Sequence, residues 1–154
     1  MFNERQQEIL LKGLNPQRIS QRKGGGGRSL SYLEAWDVKA HLIRVFGFGG
    51  FSSDVLSAEL MFEDQVGNNW NVGYKVILRL TIGNDRFITY TEAAVGSASL
   101  PQRGEAHDMA VKTAESDALK RAAINLGDQF GLSLYNNGST APVVNQTLAG
   151  DTNE

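Results

Sequence analysis

The chain has 154 residues, with 17 acidic groups, 15 basic groups, two histidines and no cysteine, for a net charge of −2. The length suits one domain at ~100–200 residues per domain, the lack of cysteine excludes a disulfide framework and thiolate chemistry, and two histidines without cysteine make a poor zinc site. No apolar run approaches the ~20 residues of a membrane span, and residues 1–14 are charged and amphipathic rather than leader-like, so a soluble intracellular protein is expected. Residues 3–14 read as a short helix capped by Asn3, with Ile9, Leu10 and Leu14 on one side, ended by Asn15-Pro16. That apolar side either contacts a neighbouring subunit or packs on its own domain. Residues 22–28 (RKGGGGR) read as a flexible loop with basic ends.

Ser31 and Glu34 stand at capping-box spacing, so a helix is expected from there, with Trp36, Ala40, Ile43 and Phe46 as its apolar face and Gly47 as its stop. After Gly50 the period changes to two. Leu56, Ala58, Leu60 and Phe62 alternate with Val55, Ser57, Glu59 and Met61, and Gly67-Asn68-Asn69 marks a turn. Val72, Tyr74, Val76, Leu78, Leu80 and Ile82 then fall on one face of a strand, with Lys75 and Arg79 on the other. Gly83-Asn84-Asp85 turns the chain into a third strand over 86–95, followed by a loop over 97–104. A long helix is expected over about 105–130. Ala106, Ala110, Ala114, Ala118, Ala122 and Leu126 recur every four residues, a stripe small enough to let a helix lie close on a sheet. The fold class is therefore α+β: a β-β-β-α core, an antiparallel meander packed by a long C-terminal helix, with two shorter N-terminal helices. The domain spans 1–135, and 136–154 has the composition of a disordered acidic tail.

Charge is unevenly spread. Residues 1–28 carry six basic and two acidic groups, while Asp151 and Glu154 of the tail account for the whole net deficit. A neutral body still supports a basic groove if the signs are segregated. Three cationic groups stand out: Arg22, Lys23 and Arg28 followed by Tyr32; Lys112, Lys120 and Arg121 on the long helix; and Lys75 and Arg79 on the strand. Each also has a plain reading as solvated surface or as a favourable charge near a helix C-terminus. Tyr74 and Tyr90 either stack on bases or fill the core. The glycine runs lack phosphate-loop spacing, so no bound nucleotide and no other cofactor is expected. Glu105, His107 and Asp108 are the one constellation that suggests a small hydrolase, against a reading as first-turn acids of a helix; the chain is not expected to be an enzyme.

Two stretches carry a resemblance. AESDALKRA at 114–122, followed by NLGDQFGLSLY at 125–135, and ISQRKGGGGRSLSYLEAWDV at 19–38 resemble the Rad fifty-two family of single-strand annealing proteins. VFGFGGFSSDV at 45–55 resembles that family's phenylalanine-glycine turn, and FNERQQEILLKGLNPQRIS its opening helix. The likeness covers about residues 2–135 in order. It implies a homo-oligomeric ring with a basic groove that holds single-stranded DNA and anneals complementary strands without ATP in recombination and repair. Coating of single strands without annealing is the alternative. Matched position by position, Arg22, Tyr32, Lys120 and Arg121 would form the groove, and Lys112 matches a further basic position. Ile124 stands where many members are basic, with Lys23 or Arg28 as possible compensation. Residues 96–104 depart from the family where an outer DNA site would lie. The resemblance also implies a single-strand-binding protein or an exonuclease as partner. The short chain looks like a compact phage or bacterial version, working in the cytoplasm of a bacterial or phage-infected cell, with no membrane partner.

Overall fold

The computed structural model describes residues 2–83 and 87–149. The expected turn at Asn84-Asp85 and the tail acids Asp151 and Glu154 lie outside the described residues. The architecture is α+β, as the sequence predicts. Helices α1 (Glu4–Leu10) and α2 (Ala35–Phe46) precede strands β3 (Phe51–Val66), β4 (Asn69–Ile82) and β5 (Ile88–Leu100), and α3 (Arg103–Ala123) follows them. Between α1 and α2 lies a hairpin that the sequence reading takes for a loop: β1 (Ser20–Lys23) pairs antiparallel with β2 (Ser29–Tyr32). Gly26 and Gly27 form its tip with φ of 74° and 77°, a conformation open to glycine at little cost.

The three long strands form one antiparallel sheet in the order β3-β4-β5. The face of β4 carrying Val72, Val76, Leu78, Leu80 and Ile82 is buried. Helix α3 lies across it through Ala106, Ala110, Ala114, Ala118 and Ala122, every one fully buried. The approach is close: a Cβ on Gly96 of β5 would stand 2.3 Å from the Ala114 nitrogen. Small residues on both surfaces are what permit that distance. The register extends β5 to Leu100, which pairs with Trp70, so the expected loop over 97–104 shrinks to the link between β5 and α3. The helix ends at Ala123, earlier than the alanine period suggests. Three short 3₁₀ turns follow, and Gly127 and Gly131 at φ of 96° and 99° prevent the helix from continuing.

Helix α1 ends at Leu10 rather than Leu14, with the expected Asn3 cap in place: Gln6 N donates to Asn3 Oδ1 at 2.8 Å. Its apolar side packs on its own domain. Leu14 is buried, and Ile9 and Leu10 lie against the same core. The start of α2 differs too. Ser31 belongs to β2, and Glu34 takes the N-cap position itself, with no side-chain bond to the helix. The buried face of α2 is Val38, Leu42 and Val45, whereas Trp36 is 70% exposed. The large indole draws attention to the wrong face.

Strand β3 breaks the expected alternation. Register shifts at Val55/Ser57 and Leu60/Phe62 insert two bulges. Phe62 therefore opposes Gly73 on the outer sheet face, while Ala58 and Leu60 oppose Val76 and Tyr74 on the helix side. Because α3 sits over β4 and β5, most of β3 is left exposed on both faces.

A buried polar cluster ties the N-terminal segment to α2 and the C-terminal turns. Arg18 Nη2 donates to Asp37 Oδ2 at 2.8 Å and Arg18 Nη1 to the Gln129 carbonyl at 2.7 Å. The Gln129 side chain donates to the carbonyls of Lys12 and Gly13 and lies 2.9 Å from His41 Nε2. Arg44 Nη1 donates to His41 Nδ1 at 2.6 Å. An Arg donor at Nδ1 leaves Nε2 as the protonated ring nitrogen, so His41 is neutral and donates to Gln129 Oε1. Burial, reinforced by Arg18, lowers its pKa from 6.5 to about 4. Residues 136–149 contain no helix or strand, and the Val144 amide donates to Asp128 Oδ2 at 2.9 Å.

Candidate nucleic-acid interface

One groove, of about 450 Å³, is walled by the β1–β2 hairpin, the end of α3 and the C-terminal turns, with Ala94 and Val95 of β5 beside them. Arg22, Tyr32, Lys120 and Arg121 all line it, although Arg22 and Arg121 are 99 positions apart in the chain. Strand pairing explains how Arg22 and Tyr32 meet. Arg22 opposes Leu30 and Ser20 opposes Tyr32, so these four residues share one hairpin face. The hairpin tip provides the reversal; the glycines supply the turn rather than a loose loop.

Tyr32 organises the cations. Arg22 Cζ lies 5.4 Å from the centroid of its ring, and Lys120 Nζ also lies 5.4 Å from it. Both are within the range of a cation–π attraction. The Tyr32 hydroxyl donates to Glu34 Oε1 at 2.8 Å. That acceptor carboxylate is the leading reason why the Tyr32 phenol is raised above its ordinary pKa of 10.0. Glu34, read from sequence as a capping residue, thus fixes the tyrosine. Acids also temper the groove: Lys120 Nζ lies 3.4 Å from Asp117 Oδ1, and Arg121 Nη2 lies 3.7 Å from Glu92 Oε2. These are partly exposed pairs of small energy, and both cations stay accessible.

Three expected site residues do not line this groove. Lys23 opposes Ser29 and so projects from the other hairpin face. Arg28 is exposed beside the glycine tip. Lys112 is paired with Asp108 at 2.6 Å, two turns before Lys120 on α3. Ile124 does line the groove and keeps that part of its wall apolar, so neither Lys23 nor Arg28 replaces a cation there. The basic strand face is also compensated: Arg79 lies 3.5 Å from Asp54, and Lys75 stands opposite Glu59 in the ladder. Tyr74 and Tyr90 pack against the core. Sequence reasoning missed Tyr135, which lines the groove and is 73% exposed. Its signal was slight, a single aromatic just before an Asn-Asn-Gly turn.

The hydrolase constellation is not assembled. His107 Nδ1 lies 2.6 Å from the Tyr74 hydroxyl, and its Nε2 is bonded to Glu63. Arg103 donates to both oxygens of Glu63, and these bonds, Arg103's first, hold the Glu63 carboxyl below its usual range. Asp108 turns instead to Lys112. The result is a latch between the outer strand and α3. Among the described residues, no group of three or more His, Asp and Glu is placed to hold a metal ion, and no helix is long and apolar enough to cross a membrane.

Comparison with known proteins identifies the family. Residues 3–150 match the model of the Rad52/22 family double-strand break repair protein. The DNA repair and recombination protein rti1 of Schizosaccharomyces pombe is 34% identical over 140 residues, covering 87% of this chain and 37% of that protein. The DNA repair and recombination protein rad22 of the same yeast is 33% identical over 132 residues, covering 84% of this chain and 28% of that protein. The DNA repair and recombination protein RAD52 of Saccharomyces cerevisiae is 32% identical over 139 residues, covering 89% of this chain and 29% of that protein. The chain thus spans about a third of the length of these curated relatives. They are fungal, and so give no support to the bacterial or phage setting expected from the sequence. A family match over nearly the whole chain, together with relatives above 30% identity, shows that the protein belongs to the Rad52/Rad22 family of double-strand break repair proteins.

Proposed function

We propose that this protein binds single-stranded DNA in the Arg22–Tyr32–Lys120–Arg121 groove and anneals complementary strands without a nucleotide cofactor, in DNA recombination and repair. The observation that carries the reading is the Tyr32 ring flanked at 5.4 Å by both Arg22 and Lys120 in one open groove. Cations fixed in this way meet a phosphate backbone at little ordering cost, and phosphate contact ignores base sequence, as annealing of any complementary pair requires. No step of this reading needs an enzyme residue.

A homo-oligomeric ring extends the groove. One groove per subunit offers few cations, and repetition around a ring makes a track with high local concentration. Support for self-association comes from β3, a 16-residue edge strand with Leu56, Leu60, Met61 and Val66 each 46–62% exposed. An uncovered edge of that length is a surface that proteins ordinarily pair or cover. Lys23 and Arg28 lie outside the groove and act in this reading as peripheral phosphate contacts, as does Lys112.

Replacing Lys120 and Arg121 together by alanine tests the groove. Equilibrium titration of an oligonucleotide over a range of salt is expected to show weaker binding and a log–log salt slope shallower by about 1.4, since each lost phosphate contact removes about 0.7 for single strands. An unchanged affinity and slope at unchanged folding would remove these residues from the site.

A further inference from the structure

The groove contains two tyrosines in different states. Tyr32 is engaged: Arg22 and Lys120 approach its ring at 5.4 Å, and Glu34 takes its hydroxyl at 2.8 Å. Two cations and an acceptor carboxylate already use that ring and its hydroxyl. Tyr135 is free: it is 73% exposed, and among the described residues no cation or aromatic ring stacks on it and no hydrogen bond reaches its hydroxyl. Its backbone is nonetheless held. The Asn136 amide donates to the Ser133 carbonyl at 3.0 Å, and the Gly138 amide to the Leu134 carbonyl at 2.9 Å. The turn also sits beside the hairpin, where a Cβ on Gly138 would stand 3.6 Å from Ser31 Oγ. The cationic part of the groove is thus joined to a rigidly mounted, unoccupied aromatic ring, with Leu30, Ile124 and Leu134 as apolar lining.

We propose that Tyr135 is the base-contacting residue of the groove, stacking on a nucleobase of the bound strand while Tyr32 positions the cations that hold its phosphates. The inference rests on the single-stranded DNA reading above. An aromatic platform suits any base, because every base presents a π-face. With the backbone held, only the two χ angles of the ring remain to be fixed when it stacks.

The test uses two ligands of equal length, an oligothymidylate and an oligonucleotide of abasic sites, against the wild-type chain, Tyr135→Ala and Tyr135→Phe. Tyr135→Ala is expected to weaken oligothymidylate binding about tenfold, within the range for one base–aromatic stack. It should leave abasic binding and the salt slope unchanged, and Tyr135→Phe should bind oligothymidylate as the wild type does. Oligothymidylate binding by Tyr135→Ala at wild-type strength overturns the base contact while leaving the groove reading intact. An equal loss on both ligands also overturns it, since the ring would then be shaping the groove. A wild-type chain that binds neither ligand overturns the groove reading and this inference together.

Discussion

The Tyr32 hydroxyl is tied to Glu34 and its ring to Arg22 and Lys120, so one side chain links the hairpin, the start of α2 and the end of α3. Behind it, the cluster of Arg18, Asp37, His41 and Gln129 ties the segment before the hairpin to α2 and to the turns after α3 from the buried side. Phe130, which lines the groove, has its ring centroid 5.1 Å from that of His41. His41 makes this support sensitive to acid. Its folded pKa of about 4 lies below the ordinary 6.5, so the unfolded chain takes up the proton first as the pH falls. The stabilisation is complete above pH 6.5 and declines from there towards pH 4, at no more than about 1.4 kcal/mol per pH unit for one proton. Denaturant midpoints measured between pH 7 and pH 5 should fall accordingly. His41→Gln, which keeps a polar side chain but cannot titrate, should flatten that dependence; an equal slope in the variant would assign it elsewhere. Arg44 stands one turn on in the same helix, but the partner that buries the ring, Gln129, is 88 positions away and has no sign in the sequence.

At the scale of elements, regular periodicity was readable and irregular backbone was not. The four-residue alanine repeat of α3 and the alternation of β4 describe the real helix–sheet contact, since a uniform period maps directly onto a buried face. Strand β3 was misread at its faces because two bulges reset the alternation, and a bulge has no fixed sequence sign. The short hairpin β1–β2 reads as a loop because its strands are polar and mostly exposed, so no hydrophobic period marks them. That hairpin matters most for the site, since it separates Arg22 from Lys23. Arg22 and Tyr32 stand out in the sequence as a basic loop and the aromatic after it, the family resemblance assigns both to one groove, and strand register supplies the physical reason they lie together. The bulge residues of β3 give an element-scale prediction. Leu56 and Met61, 49% and 50% exposed, lie off the paired ladder. Leu56→Lys with Met61→Lys should leave the melting temperature nearly unchanged and shift sedimentation from the proposed ring to lighter species. Persistence of the heavy species would exclude this edge as a subunit contact. A wild-type chain that sediments as a single 16.8 kDa species would contradict the ring itself.

For the whole molecule, a net charge of −2 conceals how the signs are arranged. The outer sheet face matches Arg79 with Asp54 and Lys75 with Glu59, and the latch matches Arg103 with Glu63. Arg22, by contrast, has no ion pair among the described residues and stands over the tyrosine in the groove. Bulk charge therefore predicts little about this protein's partners, and local pairing predicts more. Annealing is measured by the rate at which two complementary oligonucleotides pair when mixed with the protein and no nucleotide. Pairing is expected well above the spontaneous rate, abolished at high salt and strongly reduced by Lys120→Ala with Arg121→Ala. A rate equal to the spontaneous one, under conditions where the protein binds both strands, would contradict annealing and leave a protein that only coats single-stranded DNA.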